Sequence, residues 1–394
     1  MLSPSLSTGG GVPRVAIELI RNLSLLGVNI HLIVPTSSSS LLSNLKEYTY
    51  SCHCLTQPRL PHPLSAIAFS IKAHRIIDEI CSKEKIDFIV THGVLILGRI
   101  LVKRNIPWLT IVHGTYTNAI KWAKYHPLYG IDQVKYIYAL RSAYLFAKHV
   151  FRRVANLENV YFTAVSRNTK AELIEMGIPE DRIFCILNGV DKNIFNKRDK
   201  QKCKNEIRSR YGVTLDNQVI SFLGSLMPGK GVHMLIKAMK YIRETIPEVE
   251  LLIGGKEIFK TYSNYLKHLI KKYQLQKHVK FLGHINSKYV PYFICASDSL
   301  ILPSYSEGCP LVVLEGLASQ VPVVGTNSGG IEECLQLAGL GDYVIKINSY
   351  DFSARLGEKI IKLAPESEEI LRKCEICGFP SSGRYCKAHQ LKLH

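Results

Sequence analysis

The sequence predicts an α/β protein with parallel sheets, arranged in two successive sets of strands and helices. Short runs rich in β-branched residues alternate with amphipathic, helix-like segments along most of the chain. The strand candidates are apolar almost throughout, which is typical of strands covered on both faces of a parallel sheet. At 394 residues the chain is longer than one ordinary domain, so two domains are expected. We therefore predict two doubly wound, Rossmann-like domains.

In the first half of the chain, five strands and two long helices are predicted. The strand candidates read, in order, NIHLIVP, EYTYSCHCL, IDFIVTHG, PWLTIVHG and VYFTAVS, and Pro35 ends the first of them. The helix candidates are RVAIELIRNLSLLG and LSAIAFSIKAHRIIDEICSKEK. Both carry apolar residues at helical spacing, so each would cover one face of the sheet.

The second half repeats the alternation with six strand candidates. They read VISFLGS, VELLIGGK, VKFLGHI, SLILPS, PVVGTNS and DYVIKI, with helices such as GVHMLIKAMKYIRETI between them. A polar and basic segment at 190–205 lies between the two sets. We place the domains at 1–190 and 191–348, followed by a helical segment at 349–372 and a separate tail at 373–394.

Composition and net charge indicate what class of protein this is and what kind of partner it binds. Hydrophobic residues make up 46% and charged residues 21%, and the formal net charge is +18. This excess favours an anionic partner: a phosphorylated small molecule, an anionic membrane surface or nucleic acid. No apolar run approaches the roughly 20 residues that span a bilayer, and the first residues do not resemble a signal peptide. We expect a cytoplasmic protein with reduced cysteines.

Several candidate binding residues follow predicted strands, where α/β sheets bind ligands. A very short strand at residues 1–3 would precede the five strands named above. The glycines at 9–11 and a helix starting near Pro13 follow it, and this glycine turn could cradle phosphate or simply be flexible. His92 and His113 each precede a glycine at equivalent strand ends and would face the same crevice, although lone histidines there are more often structural. Lys230 in LMPGKG would face a diphosphate from a helix start, or be solvated.

The stretch EGCPLVVLEGLASQVPVVGTNSGG carries two glutamates, Glu307 and Glu315, eight positions apart. Glu307 falls in the loop after a strand, Pro310 suits the first turn of a helix, and Glu315 lies on that helix. Its neighbours are apolar, and a carboxylate among apolar residues is costly unless it receives hydrogen bonds. We therefore expect Glu315 to have a functional role.

The sequence resembles a known family, the retaining GT-B glycosyltransferases of family 4, also called group 1. The matching pieces occur in the family's order from residue 9 to about 347. They read GGGVPRVAIEL, IVHG, TAVSRNTKAEL, ILNGVDKNIF, GSLMPGKGVHMLIKAM, FLGHI, ILPSYSEGCPLVVLEGLA and VPVVGTNSGGIEE. Each piece is common, but the ordered set is specific.

The resemblance implies transfer of a sugar from a nucleotide diphosphate sugar to an acceptor, with retention at the anomeric carbon. The donor would lie in the C-terminal domain, the acceptor in the N-terminal domain, and the chemistry in the cleft between the two. A glycan or a lipid-linked species would accept the sugar. Lys230, helix N-termini and backbone donors would replace a metal ion at the reaction centre.

The resemblance also gives roles to individual residues. Glu307 would lie near the donor sugar, Glu315 would bind the ribose hydroxyls, and Lys230 would stabilise the leaving diphosphate. His113 would lie at the reacting centre. Further donor contacts would come from Gly224, Ser225, the turn formed by Cys309, Pro310 and Leu311, and, in the other domain, Gly10 and Gly11.

Two departures from the family pattern leave alternatives open. Members often have an arginine where this chain has Ser225, and the first strand is shorter than usual. A nucleotide-sugar epimerase would use the same two-domain architecture for another reaction. A degenerate protein would bind nucleotide or RNA without turnover, although nucleic acid is not the partner that we expect.

Residues 118–160 combine seven lysines and arginines with five tyrosines. A basic, aromatic-rich helical segment in the acceptor domain could lie on the inner face of an anionic membrane and meet a lipid-linked acceptor. A solvated basic helix beside the cleft explains the composition equally well.

The tail carries a separate pattern, KCEICGFPSSGRYCKAH. Cys374 and Cys377 form one pair, and Cys386 and His389 form a second pair after eight intervening residues. Three thiolates and an imidazole at this spacing suit a tetrahedral, structural zinc ion. The pattern resembles a zinc ribbon and is no part of the glycosyltransferase family.

Overall fold

A computed structural model describes residues 1, 10–35, 45–56, 64–93, 105–115, 117–123, 131–196, 198–213, 218–347 and 351–372. The chain divides into two compact units. The first comprises the described residues of Met1–Thr117 and Ile137–Leu187, and the second those of Asn118–Tyr136 and of the chain from Asn188 onward.

The first unit is built on parallel strands. Its strands are β1 (His31–Pro35), β2 (Ser51–Leu55), β3 (Ile89–His92), β4 (Trp108–Val112), β5 (Val160–Ala164) and β6 (Ile183–Cys185). Strands β3 to β6 form a four-stranded sheet in sequence order, and β1 pairs with β2. The helices of this part of the chain are α1 (Gly11–Leu25), α2 (Leu64–Lys83), α3 (Thr117–Ala123), α4 (Ile131–Ala155) and α5 (Arg167–Glu175).

The core of the first unit lies between this sheet and its helices. Trp108 on β4 and Phe162 on β5 are fully buried, and the Phe162 ring meets Phe151 of α4 edge to face at 5.4 Å between centroids. Ser166 caps α5, because its hydroxyl accepts a hydrogen bond from the Thr169 N–H at 3.1 Å. The helix therefore begins directly after β5.

The second unit contains one six-stranded parallel sheet. Its strands are β7 (Val219–Leu223), β8 (Glu250–Gly254), β9 (Val279–Gly283), β10 (Ser299–Leu302), β11 (Val323–Thr326) and β12 (Val344–Ile345). Its helices are α6 (Lys200–Tyr211), α7 (Val232–Thr245), α8 (Lys260–Lys272), α9 (Val290–Cys295), α10 (Leu311–Ala318), α11 (Gly330–Leu337) and α12 (Phe352–Arg372). Every residue of β8, β10 and β11 is buried, as their apolar runs predict.

The strand order of this sheet identifies where a ligand would bind. The strands lie in the order β12-β11-β10-β7-β8-β9. The chain runs outward from β7 to one edge, returns to the centre at β10 and then runs to the other edge, which is the Rossmann order. The direction of winding changes between β7 and β10, and loops leaving such a pair of strands diverge and open a crevice.

The predicted α/β architecture with parallel sheets in two sets is confirmed, since every strand pairing among the described residues is parallel. The eleven strand candidates from NIHLIVP onward each contain an observed strand. Strand β6 was not predicted. It has only three residues, and the Phe184 side chain is 52% exposed, so its sequence lacks the apolar run of a central strand. None of the described helices is long and apolar enough to cross a membrane.

Candidate functional site

The winding change between β7 and β10 brings together Lys230 and Glu307, two of the predicted site residues. Lys230 lies in the loop after β7, and Glu307 lies in the loop after β10. The Lys230 ammonium Nζ donates to Glu307 Oε1 at 2.5 Å, and both side chains are partly buried. A cation and a carboxylate thus face each other at the place where the fold binds ligands.

The Lys230 turn is pressed against the end of β10. Lys230 is the last residue of a short 3₁₀ turn, Pro228–Lys230, and Gly231 separates it from α7, so it lies just before the helix rather than in it. Gly231 has φ +70°, and a Cβ built on it would lie 1.9 Å from the Pro303 carbonyl oxygen. Only glycine permits this approach. The Tyr305 N–H also donates to the Gly229 carbonyl at 2.8 Å.

The Glu307 loop is held from its other side by the turn before α11. A Cβ on Gly329 would lie 1.8 Å from the Glu307 carbonyl oxygen, and one on Gly330 would lie 2.1 Å from the Gly308 carbonyl oxygen. The two glycines therefore let the turn after β11 contact the backbone that carries Glu307. This contact explains the glycine pair at the end of the quoted stretch.

Glu315 lies on α10 with only 1% of its surface exposed, among the apolar residues that the sequence places around it. Pro310 is the residue before the helix and not part of its first turn, because its backbone is extended at ψ 123°. The Cys309 carbonyl accepts a hydrogen bond from the Asn188 amide at 2.7 Å. Asn188 thereby fixes the turn that leads into Leu311, the first residue of α10.

Gly224 and Ser225 lie directly after β7. The Gly224 N–H donates to the Gly254 carbonyl at 3.0 Å, and a Cβ on Gly255 would lie 1.7 Å from the Gly224 carbonyl oxygen. The Ser225 carbonyl accepts from the Met227 N–H at 2.9 Å, and the residue is partly exposed. This loop is therefore tied to the end of β8, and Ser225 offers a hydroxyl where the family often offers an arginine.

In the first unit, His92 and His113 are brought together as predicted from their strand ends. His92 Nδ1 lies 3.0 Å from His113 Nε2, and the rings stack with centroids 5.3 Å apart. Burial lowers the pKa of His92 to about 3, with a further contribution from His113. Burial also lowers the pKa of His113 to about 4. Both imidazoles are neutral at pH 7 and can exchange hydrogen bonds but carry no charge.

The loop after His113 rests on a buried carboxyl group. Thr115 donates through its hydroxyl to Glu172 of α5, and the Asn168 amide donates to the same carboxyl group at 3.0 Å. Burial is the main reason why the pKa of Glu172 is raised, against the lowering effect of these two donors. This support was not predicted, because Glu172 looks like an ordinary helix glutamate in TAVSRNTKAEL.

Of the remaining predicted site residues, the structure describes the two glycines before and at the start of α1 but not the proposed zinc ligands. Gly10, with φ +118°, precedes α1 and Gly11 opens it, so the helix begins inside the glycine turn, two residues before the predicted start near Pro13. The proposed zinc ligands Cys374, Cys377, Cys386 and His389 lie outside the described residues. Within the described ranges, no group of three or more His, Cys, Asp or Glu side chains is arranged to hold a metal ion.

Comparison with known proteins assigns the chain to a family. A family model described as "Glycosyltransferase Family 4" matches residues 9–193, and one described as "Glycosyl transferases group 1" matches residues 204–374. The chain belongs to the group 1 glycosyltransferases. Its matches run through both units and include the loops of Lys230, Glu307 and His113.

Relatives of the chain include two bacterial proteins that align over most of its length. The N-acetyl-alpha-D-glucosaminyl L-malate synthase of Bacillus anthracis is 24% identical over 370 residues, covering 91% of this chain and 86% of that one. The UDP-Gal:alpha-D-GlcNAc-diphosphoundecaprenol alpha-1,3-galactosyltransferase of Escherichia coli is 28% identical over 361 residues, covering 89% and 84%. With other curated relatives, the chain spans about half of the relative's length.

A solved structure shows the same fold. The Anabaena protein Alr3699/HepE in complex with UDP and glucose has a TM-score of 0.69 and 18% sequence identity, covering 94% of this chain and 91% of that chain. At this identity the likeness supports the fold alone. The chain thus has a two-domain, GT-B-like α/β fold.

Proposed function

We propose that the protein transfers a sugar from a nucleotide diphosphate sugar to an acceptor, with retention of the anomeric configuration. The observation that carries the proposal is the ion pair of Lys230 and Glu307 at the winding change of a Rossmann sheet. Membership of the group 1 glycosyltransferases supports the same reaction class.

Lys230 would stabilise the leaving diphosphate. Negative charge grows on this group as the bond between the sugar and the phosphate breaks, and an ammonium held in a partly buried site stabilises that charge without reorganising. The N-terminus of α10 adds positive potential beside the same loop. A diphosphate oxygen would compete with Glu307 for Lys230, which frees the Glu307 carboxylate to accept a hydrogen bond from the sugar.

Glu315 would bind the nucleotide ribose. A carboxylate can accept two hydrogen bonds from neighbouring hydroxyls, and in a site that is almost closed to water each is a strong, charge-assisted bond. Ser225 would donate one hydroxyl to the diphosphate, a weaker contact than the two-pronged bond of an arginine. Gly10 and Gly11 would cradle phosphate, and His113 would act as a neutral hydrogen-bonding group at the reacting centre.

We further propose an acceptor that is a glycan or a lipid-linked species, reached from the inner face of a membrane. The α4 helix supports this view, since Val134, Tyr138 and Leu145 are exposed by 62%, 74% and 63%. With exposed Arg141 they occupy positions spaced four, three and four residues apart, which forms one stripe along a helix. An apolar and basic stripe of this kind suits an anionic bilayer surface. The E. coli relative, by its name, uses a diphosphoundecaprenol-linked acceptor.

The test begins with a thermal-shift screen against nucleotide sugars, since a bound donor raises the melting temperature. Lys230→Ala and Glu315→Ala should each reduce turnover at least about tenfold, the size of one lost charge-assisted contact. Lys240→Ala and Glu244→Ala, which alter exposed residues of α7, serve as matched controls. Unchanged turnover in both site variants would contradict the site assignment.

Product analysis separates the alternatives. Retaining transfer gives a new glycoside with the anomeric configuration of the donor, as NMR of the product shows. An epimerase would give an isomeric nucleotide sugar without any acceptor. A binding protein would turn over no nucleotide sugar and would shift RNA in a gel. The named relatives are a synthase and a transferase, which favours transfer.

A further inference from the structure

A buried cluster of hydrogen-bonded side chains lies close in sequence to both Lys230 and Glu307. His233 is in the first turn of α7, three residues after Lys230, and Tyr305 is two residues before Glu307. The Tyr305 hydroxyl lies 3.3 Å from His233 Nε2, and the two rings are nearly parallel at 12° with centroids 6.0 Å apart. The exposed fractions of His233 and Tyr305 are 4% and 6%.

A second tyrosine ties this cluster to α8. The Tyr262 hydroxyl lies 3.0 Å from His233 Nδ1 and 3.2 Å from the His233 backbone nitrogen, and Tyr262 is fully buried. Burial raises the pKa of Tyr262, and it raises the pKa of Tyr305 to about 12. Both hydroxyls therefore keep their protons at pH 7.

The contacts assign the direction of each hydrogen bond. The backbone N–H groups of Val232 and His233 can only donate, so together they occupy both lone pairs of the Tyr262 oxygen, and the Tyr262 proton is directed at Nδ1. A neutral imidazole that accepts at Nδ1 carries its proton on Nε2, which then donates to the Tyr305 oxygen. The Tyr305 proton is left for Met234 Sδ, 2.7 Å away.

We propose that His233, as the Nε2-protonated tautomer, is a positioning residue that holds the Glu307 loop in place through Tyr305 when the donor occupies the site. The inference rests on the proposed function, in which a diphosphate takes Lys230 from Glu307. Once that ion pair opens, the bonds of Tyr305 to His233 and to the Gly229 carbonyl still join the two loops. A diphosphate does not compete for hydrogen bonds inside this buried cluster as it does for the partly exposed ammonium of Lys230.

Two variants cut the same bond from its two ends. In His233→Asn the amide oxygen can still accept from Tyr262, but the donor to Tyr305 is lost. Tyr305→Phe keeps the ring and removes the acceptor. Loss of one such bond should raise the dissociation constant of the bound nucleoside diphosphate by about three- to tenfold. The double variant should show no further increase, because both changes remove one interaction.

The experiment measures binding by calorimetry with ADP, CDP, GDP, TDP and UDP, well below the melting temperature of every variant. His233→Gln, whose amide reaches toward the Nε2 position, should restore affinity to within about twofold. His268→Asn is the matched control, since His268 is exposed on α8. The tautomer is read from the imidazole ¹⁵N shifts of His233, for which we expect a proton on Nε2.

The outcomes distinguish failure of the positioning role of His233 from failure of the proposed function on which it rests. If a nucleoside diphosphate binds the wild type and Lys230→Ala weakens it, unchanged affinity in both His233→Asn and Tyr305→Phe overturns the positioning role. A proton on Nδ1 overturns it too. If none of the five nucleotides binds the wild type, the proposed function fails and this inference fails with it. Should His233→Asn not fold, Tyr305→Phe alone decides.

Discussion

The contact between the Lys230 turn and the end of β10 predicts a large effect for Gly231→Ala. Alanine at φ +70° costs about 1–2 kcal/mol in backbone strain alone. The new Cβ would also lie 1.9 Å from the Pro303 carbonyl oxygen. Since unbonded atoms of this kind do not approach closer than about 3 Å, the loops of Lys230 and Glu307 would have to separate by roughly 1 Å.

A shift of that size acts on both activity and stability. Misplacing reacting groups by about 1 Å can cost on the order of 100-fold in rate, so we expect kcat/KM for sugar transfer to fall at least about that much. Overpacking typically adds about 1–3 kcal/mol to the destabilisation. The melting temperature of Gly231→Ala should therefore fall by several degrees, measurable by differential scanning calorimetry.

Gly212 provides a matched control for the backbone strain. It ends α6 with φ +61°, close to the value of Gly231, and no atom lies within 4 Å of a Cβ built on it. Gly212→Ala should lose stability through strain alone and keep its activity. The reasoning is refuted if Gly231→Ala retains a kcat/KM within about threefold of Gly212→Ala.

Three further predictions concern other parts of the chain. His92 and His113 have folded pKa values of about 3 and 4 against 6.5 when unfolded. As the pH falls the unfolded chain therefore takes up their protons first, and the stability that is fully present above pH 6.5 is lost progressively down to about pH 3. Urea unfolding should show a shallower pH dependence in His92→Asn. Tyr138→Glu and Leu145→Glu should each weaken sedimentation with anionic vesicles, but not donor binding, because they break the exposed stripe of α4. Metal analysis should find one zinc ion per chain, lost in Cys377→Ser, with sugar transfer largely retained.

The strands of the second unit could be predicted because burial on both faces leaves a strong mark on the sequence. Strands β10 and β11 are fully buried, and apart from Ser299 and Thr326 their residues are apolar or glycine. At the edge of the four-stranded sheet of the first unit the apolar pattern is weaker, because Phe184 of β6 is 52% exposed and the strand has only three residues. A local pattern therefore gives the centre of a sheet more readily than its edge.

The candidate site could be predicted residue by residue, but its geometry could not. Lys230 and Glu307 are 77 positions apart, and they meet because β10 returns to lie beside β7. That order depends on packing among all six strands, which no local pattern encodes. Likewise, nothing in GKGVHM or PSYSEG indicates that His233 and Tyr305 would be in contact, since neither residue type at its position departs from an ordinary core residue.

The two ends of the stretch from Glu307 to Gly330 contact each other, and the glycines at its end allow this close backbone contact rather than providing flexibility. Glu307 leaves β10, Glu315 follows on α10, and the chain returns through β11 to place Gly329 and Gly330 against the Glu307 and Gly308 carbonyls. The loop is thus held at both sides, by Gly231 against Pro303 and by the glycine pair. Any side chain at these positions would displace the Glu307 carboxylate, so the separation of Lys230 and Glu307 depends on residues that carry no chemistry themselves.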